Sequence, residues 1–201
     1  MHVEMPGKLL SALVLFTCNT TTLAASSTIG PTAAVQCYQE SLFPMSERGI
    51  QYCNEAIKRG NLTQRNLAAT YSNRGIIYLK NGKFQKALKD QNKAARIKPD
   101  LAQVYINRGN VFYHTHEYED ALAEFDKAIV TGGGPVSVSF HNKALTLIKL
   151  HRIAEAKRAL EMGLEANPHS KKIKDRLNEI AEFSELLEIF PVTFPDNQCL
   201  L

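Results

Sequence analysis

The sequence has no tryptophan, and no run of lysine and arginine in it alternates with aromatics. Its longest apolar run, residues 9–16, is eight residues broken only by Ser11, whereas a bilayer span needs about 20. Net charge is only +4, and the excess is dispersed, so nucleic acid is not an expected partner. The one tight basic cluster, Lys171, Lys172 and Lys174, opens a predicted helix and reads as a solvated face. Catalytic constellations are missing too. Gly132-Gly133-Gly134-Pro135 lacks the Lys-Ser/Thr of a phosphate loop and reads as slack in a connection. His114, His116 and Glu117 superficially resemble a metal cluster. Two histidines two apart on a helix point in different directions, so no metal ligands are assigned. No cofactor and no catalytic residue is expected, and the chain reads as a non-enzyme.

What is present begins with a leader. Lys8 precedes the apolar run, and small and polar residues follow as far as Thr22-Leu23-Ala24-Ala25. This order describes a secretory signal peptide over residues 1–25, with cleavage after Ala24 or Ala25. No stable membrane insertion of the mature chain is then expected. The alternative is a lipoprotein anchored at Cys18, although Leu15-Phe16-Thr17 is a poor lipoprotein box. Export puts Cys37, Cys53 and Cys199 where disulfides persist. Met45 is the midpoint of Cys37 and Cys53 and lies in the turn Phe43-Pro44-Met45-Ser46. Two cysteines equidistant from the turn of a helical hairpin lie at one height along it, within reach of a bridge. Closing that loop would stabilise by about 3 kcal/mol in the chain-entropy model. The other reading is a pair of unpaired core thiols. Cys199 is left free, or pairs between molecules.

Self-comparison is more informative. Tyr71-Ser72-Asn73-Arg74-Gly75 recurs 34 residues later as Tyr105-Ile106-Asn107-Arg108-Gly109, and after 35 more, degraded, as Phe140-His141-Asn142-Lys143-Ala144. Tyr78, Phe112 and Leu147 keep the same phase, as do Ala87, Ala121 and Ala156, then Ala94, Ala128 and Gly163. Pro99 and Pro168 close their units. An aromatic, a small residue, an aromatic, two alanines and a proline at this period resemble the tetratricopeptide repeat.

The resemblance implies an all-α right-handed superhelix of antiparallel hairpins. Its parts would be a divergent first repeat and linker over 26–67, repeats over 68–101, 102–136 and 137–169, a capping helix over 170–190 and a tail over 191–201. Each unit reads as two helices, for example 68–80 and 84–97, separated by the tight-turn dipeptide Asn81-Gly82. The first unit reads as helices near 33–42 and 47–58, with Gly49 and Ala56 at its small positions. Gly75 and Gly109 each cost about 1 kcal/mol of helix propensity, and the expected return is close approach to Ala87 and Ala121. The capping helix carries Ile173, Leu177, Ile180 and Leu187 on one stripe.

In this family the first helix of each unit lines a concave face, where an asparagine can bond the backbone of an extended ligand. The resemblance therefore implies a groove of Asn73, Gln103, Ile106, Asn107, Asn110, Tyr113, His141, Asn142 and Leu145, centred on Asn107. A carboxamide both donates and accepts, so it can pair with any peptide group. The alternative for the asparagines is a helix-to-helix bond between repeats. Arg74 and Arg108 stand 16 residues before Asp90 and Glu124 and are expected to pair with them. Lys143 faces Ala159 instead, which leaves it open to a ligand. Lys80 and Lys149, at the far ends of their helices, are further charge contacts.

The expected function is a non-catalytic module that binds an extended peptide or partner helix, exported to the periplasm of a Gram-negative bacterium as an envelope adaptor or scaffold; secretion is the other destination. The alternatives are a structural subunit of a secretion or pilus assembly, and a metal-dependent sensor using the histidines. Asn61-Leu62-Thr63 is an acceptor pattern for N-glycosylation, relevant only in a glycosylating host.

Overall fold

The computed structural model describes residues 32–43 and 45–189, with side chains as far as Glu182. The expected signal segment, Cys18, the expected tail and Cys199 lie outside the described residues, as do Pro44 and the side chain of Leu187. Among the described residues every regular element is helical. Four hairpins, α1 (Ala33–Ser41) with α2 (Glu47–Arg59), α3 (Gln64–Lys80) with α4 (Phe84–Ile97), α5 (Ala102–His114) with α6 (Tyr118–Thr131) and α7 (Val136–Lys149) with α8 (Ile153–Ala166), are followed by α9 (Lys171–Ile189).

Local chemistry sets these boundaries. Thr32, Ser46 and Thr63 cap α1, α2 and α3, each hydroxyl accepting from a backbone N–H of the first turn. Because Thr63 is a cap, α3 begins at Gln64, four residues before the expected start of that repeat. No side chain caps α4 to α8, so those helices depend on packing. The turns inside the last three hairpins are alike. Lys83 N donates to Tyr78 O at 2.8 Å, Glu117 N to Phe112 O at 2.9 Å and Arg152 N to Leu147 O at 2.9 Å. Each is the six-residue closure that needs a left-handed residue after the helix. Gly82 fills that position in the first of these turns; His116 and His151 fill it in the others, at φ 65° and 59°.

The hairpins stack in order. Each second helix packs on the next first helix, and the first helices also pack on one another, α1 on α3, α3 on α5 and α5 on α7. The helices that touch their own counterparts form the tighter, inner side of the array. The close approach expected at the glycines is real: Gly75 does meet Ala87, whose carbonyl oxygen would lie 3.3 Å from an added Cβ, but the tightest contacts fall one turn further along. A Cβ on Gly75 would lie 2.5 Å from Gln91 Nε2, and one on Gly109 would lie 2.6 Å from the Phe125 ring. Phe125 is fully buried with Tyr105, Ile106, Ala121 and Ala128. A side chain of that size stabilises by about 1.5–3 kcal/mol when removed from water. At the C-terminal end Ile173 and Ile180 of α9 cover Phe140, Leu147 and Leu160, as expected of a cap. At the other end a disulfide joins Cys37 to Cys53 across α1 and α2, with Cα atoms 4.8 Å apart, and both cysteines are buried against Ile77.

Candidate functional site

The inner side of the array holds three clefts. One of about 560 Å³ lies between α1 and α3, where Val35, Tyr38, Leu62 and Ala69 meet Asn66 and Asn73. A second, of about 500 Å³, runs between the C-terminal half of α3 and α5 past Ile76, Lys80, Asn107, Asn110 and His114. The third, of about 220 Å³, lies between α5 and α7 and is lined by Asn110, Tyr113, His114, Asn142 and Leu145. Asn110 and His114 border both of the last two, which therefore adjoin.

The three asparagines at one register have different surroundings. Asn107 is 6% exposed; its Nδ2 donates to Ser72 Oγ at 2.9 Å, and its Oδ1 accepts from Gln103 Nε2 at 3.1 Å. Ser72 Oγ in turn donates to Gln91 Oε1 at 2.9 Å, and Gln91 Nε2 donates back to Ser72 O at 3.0 Å. Asn107 thus closes a buried polar chain that ties α5 to α3 and α4. Asn142 Nδ2 donates to Asn110 Oδ1 at 2.9 Å, joining α7 to α5. Both bonds are the helix-to-helix alternative. Asn73, by contrast, is half-buried on the floor of the first cleft and has no hydrogen-bond partner among the described residues. Asn107 borders the second cleft, but its amide is occupied by bonds to Ser72 and Gln103. Ile106, 2% exposed beside Phe125, is corrected to a core residue, since it faces its own hairpin.

The cations divide similarly. Arg74 grips buried Asp90 with two bonds, Nε to Oδ2 and Nη2 to Oδ1, both 2.7 Å, and a third from Nη1 reaches Asn54. Asp90 holds the Arg74 guanidinium above its ordinary pKa. Arg108 donates from Nη2 to Glu124 Oε1 at 2.6 Å and from Nη1 to Asn92 at 3.0 Å. The two guanidinium groups lie 5.3 Å and 5.4 Å from the rings of Tyr71 and Tyr105. These pairs fix the hairpins. Lys143 is not free, which corrects its assignment: its Nζ meets Asp126 Oδ1 of α6, the preceding second helix, at 2.5 Å. Lys80 donates to Ser41 O at 2.7 Å, capping the end of α1, and partial burial lowers its pKa. Lys149 is exposed at the end of α7.

Gln103 is exposed beside Asn107, and Tyr113 and Leu145 are half-buried in the third cleft. His141 lines none of the three clefts. Burial first, then Arg176 and Lys172 of α9, lower its pKa, and its Nδ1 is buried without a partner. The cleft between α1 and α3 escaped the sequence reading almost entirely. Its signal was the cap at Thr63, which puts Asn66, Ala69 and Asn73 on one face of α3. His114, read only as a metal candidate, borders two clefts. Among the described residues no group of three or more His, Cys, Asp or Glu side chains is placed to hold a metal.

Residues 66–129 match the family model described as "Tetratricopeptide repeat". Over that segment the chain is similar to this family. No curated protein is similar enough in sequence to count as a relative. Solved tetratricopeptide domains share the fold. The second such domain of human RPAP3, in complex with the HSP70 peptide SGPTIEEVD, is 24% identical, with 59% of this chain and 98% of that one covered and a TM-score of 0.54. The first domain of Spaghetti (RPAP3), bound to the HSP90 peptide SRMEEVD, is 19% identical over 59% and 93%, with a TM-score of 0.54. The Sgt2 domain from Aspergillus fumigatus is 20% identical over 65% and 87%, with a TM-score of 0.57. At these identities the likeness establishes a solenoid of antiparallel tetratricopeptide hairpins.

Proposed function

We propose that this chain is a non-catalytic interaction module that holds an extended peptide or a partner helix along the inner faces of α1, α3, α5 and α7. The observation that carries the reading is the line of three clefts, with the amide of Asn73, unpaired among the described residues, in the first and Asn110, Tyr113 and Leu145 in the others. Apolar wells flanked by amides suit a ligand that offers side chains and backbone together. The peptide complexes of the RPAP3 domains support this use of the fold. In the test, Asn73→Ala and Tyr113→Ala are combined, since neither residue bonds across repeats. The double variant should keep its melting temperature and lose at least tenfold in affinity for a groove peptide. Unchanged affinity contradicts the proposal.

The proposal extends to an exported adaptor or scaffold of a bacterial envelope, periplasmic after removal of residues 1–25. The lysine-led apolar segment and the Cys37–Cys53 bridge support that destination. One observation favours a second reading, a structural subunit that packs permanently on a larger assembly. Val35 and Tyr38 on α1, with Leu42, Phe43 and Met45 after it, are all exposed, Met45 at 72%. A chain that is monomeric and monodisperse at high concentration argues against that second reading.

A further inference from the structure

The outer side of the array carries its charge unevenly. On α4 the side chains of Lys86, Lys89, Lys93 and Arg96 are all exposed, and steps of three, four and three residues place these four cations on one stripe. The one acid of α4, Asp90, is turned inward onto Arg74. Lys89, Lys93 and Arg96 form no ion pair with a described residue. Lys86 lies near Glu47, which is already bonded to Lys83. The other second helices do not repeat the stripe at the same register. On α2 the positions hold Arg48, Gln51, Glu55 and Lys58, two cations against one acid. On α6 Asp120 and Lys127 cancel, and Ala123 and Val130 carry no charge. On α8 Glu155 and Glu165 outnumber Arg158, with Met162 between them.

Solvation does not require such a stripe, since mixed charge meets it on the other three helices. The stripe also works against the fold. Cations three and four apart repel along a helix, and Lys86 opposes the macrodipole in a first turn that has no acid and no side-chain cap. We propose that it docks the array, outer side first, on an anionic lipid surface. Its cations extend along about 15 Å of helix. A convex face meets a plane along its middle elements, and α4 is one of the two middle outer helices. A protein partner would gain little here. Lysine is depleted from protein interfaces, whose energy comes from side chains seated in pockets, and none of the four cations lines any of the three clefts. Nucleic acid would find no aromatic between the cations on which a base could stack. A field of lipid phosphates needs neither pocket nor register, only point charges on flexible stems. Val130, 87% exposed, and Met162, 51% exposed, hold the registers of Arg96 and Lys93 on the next two outer helices. They supply apolar tips for the margin of the headgroup layer. The inner clefts stay open in this arrangement, so the proposal goes beyond the peptide-binding reading and does not depend on it.

The test is flotation of the purified full chain with vesicles of phosphatidylcholine alone, or with about one-third phosphatidylglycerol, at low salt and at about 0.15 M. Any lipid contact by the apolar run over residues 9–16 is indifferent to lipid charge, so the readout is the ratio of anionic to neutral partition. Wild type should prefer anionic vesicles by about tenfold or more at low salt, and by less at the higher strength. Lys89→Glu combined with Lys93→Glu should bring the ratio close to that of neutral vesicles. The control, Lys157→Glu with Arg158→Glu on α8, makes the same change in net charge and should keep the preference. If the reversal unfolds α4, Lys89→Gln with Lys93→Gln carries the comparison, with about a threefold loss expected, and Lys89→Arg with Lys93→Arg should bind as wild type does. No preference in wild type, equal losses in the control, or a preference that survives the reversal overturns the proposal. Binding of a DNA duplex or of polyglutamate through the stripe, without preference for anionic vesicles, also overturns it and assigns the stripe to that partner.

Discussion

Arg74 and Asp90 face each other across the α3–α4 hairpin, and the guanidinium donates two hydrogen bonds of 2.7 Å to the almost fully buried carboxylate. Removing the arginine leaves a buried charge unpaired, which costs about 3–5 kcal/mol. Arg74→Ala should therefore lower the urea midpoint sharply, while the folded fraction still binds peptide. The Arg108–Glu124 pair is less complete, since Arg108 Nε and Glu124 Oε2 are buried without partners. Arg108→Ala should cost less, about 1–3 kcal/mol. A variant Arg74→Ala that melts like wild type but cannot bind would assign the residue to the groove.

Gly75 and Gly109 hold the same repeat position but face different neighbours, Gln91 and the Phe125 ring. Gly75→Ala must push the Gln91 amide off Ser72 and expose a buried polar group to loss of its bond, at about 1–3 kcal/mol. Gly109→Ala must displace an aromatic ring and costs about the same by overpacking. The remedies differ. Phe125→Leu should recover part of the Gly109→Ala loss and none of the Gly75→Ala loss, as read by double-mutant cycles in urea. Equal recovery in both would show that the glycines do not act through these contacts.

His151 occupies the left-handed position that Gly82 fills two hairpins earlier, at φ 59°. A non-glycine residue there carries about 1–2 kcal/mol of strain, partly offset by the extra freedom of glycine when unfolded. His151→Gly should stabilise by about 0.5–1 kcal/mol in chemical denaturation. His116→Gly should gain less, because it also loses the 2.8 Å contact between Nδ1 and the Tyr118 hydroxyl.

His141 is held below its ordinary pKa by burial and then by Arg176 and Lys172. Glu179 pairs with Arg176. A histidine whose folded pKa is depressed binds fewer protons when folded, so stability rises with pH. The contribution is complete above about 6.5, the unfolded value, and is lost as pH falls from there toward the folded value. Melting temperature measured from pH 7.5 to 5 should fall more steeply for wild type than for His141→Gln. Parallel curves would remove His141 from the account.

Contacts within a hairpin were legible because they depend only on the repeat register. The 16-residue step from Arg74 to Asp90 crosses one turn, and the midpoint of Cys37 and Cys53 falls in another. Contacts between hairpins depend on the rotation from one unit to the next, which packing sets and no local pattern reports. For that reason the sequence left Asn107 open between ligand and neighbour, and missed the return of Lys143 to Asp126 on the preceding helix. The start of α3 slipped by four residues because the repeat pattern opens at Ala68 while the cap lies at Thr63.

The central claim is that partners bind along the first helices, and site-specific photocross-linking tests it most directly. A photoreactive phenylalanine at Tyr113, in the third cleft, should cross-link a peptide selected for binding to the purified protein, and the same group at Lys93 on α4 should not. Cross-linking from position 93 with none from position 113 would contradict the account and move binding to the outer face.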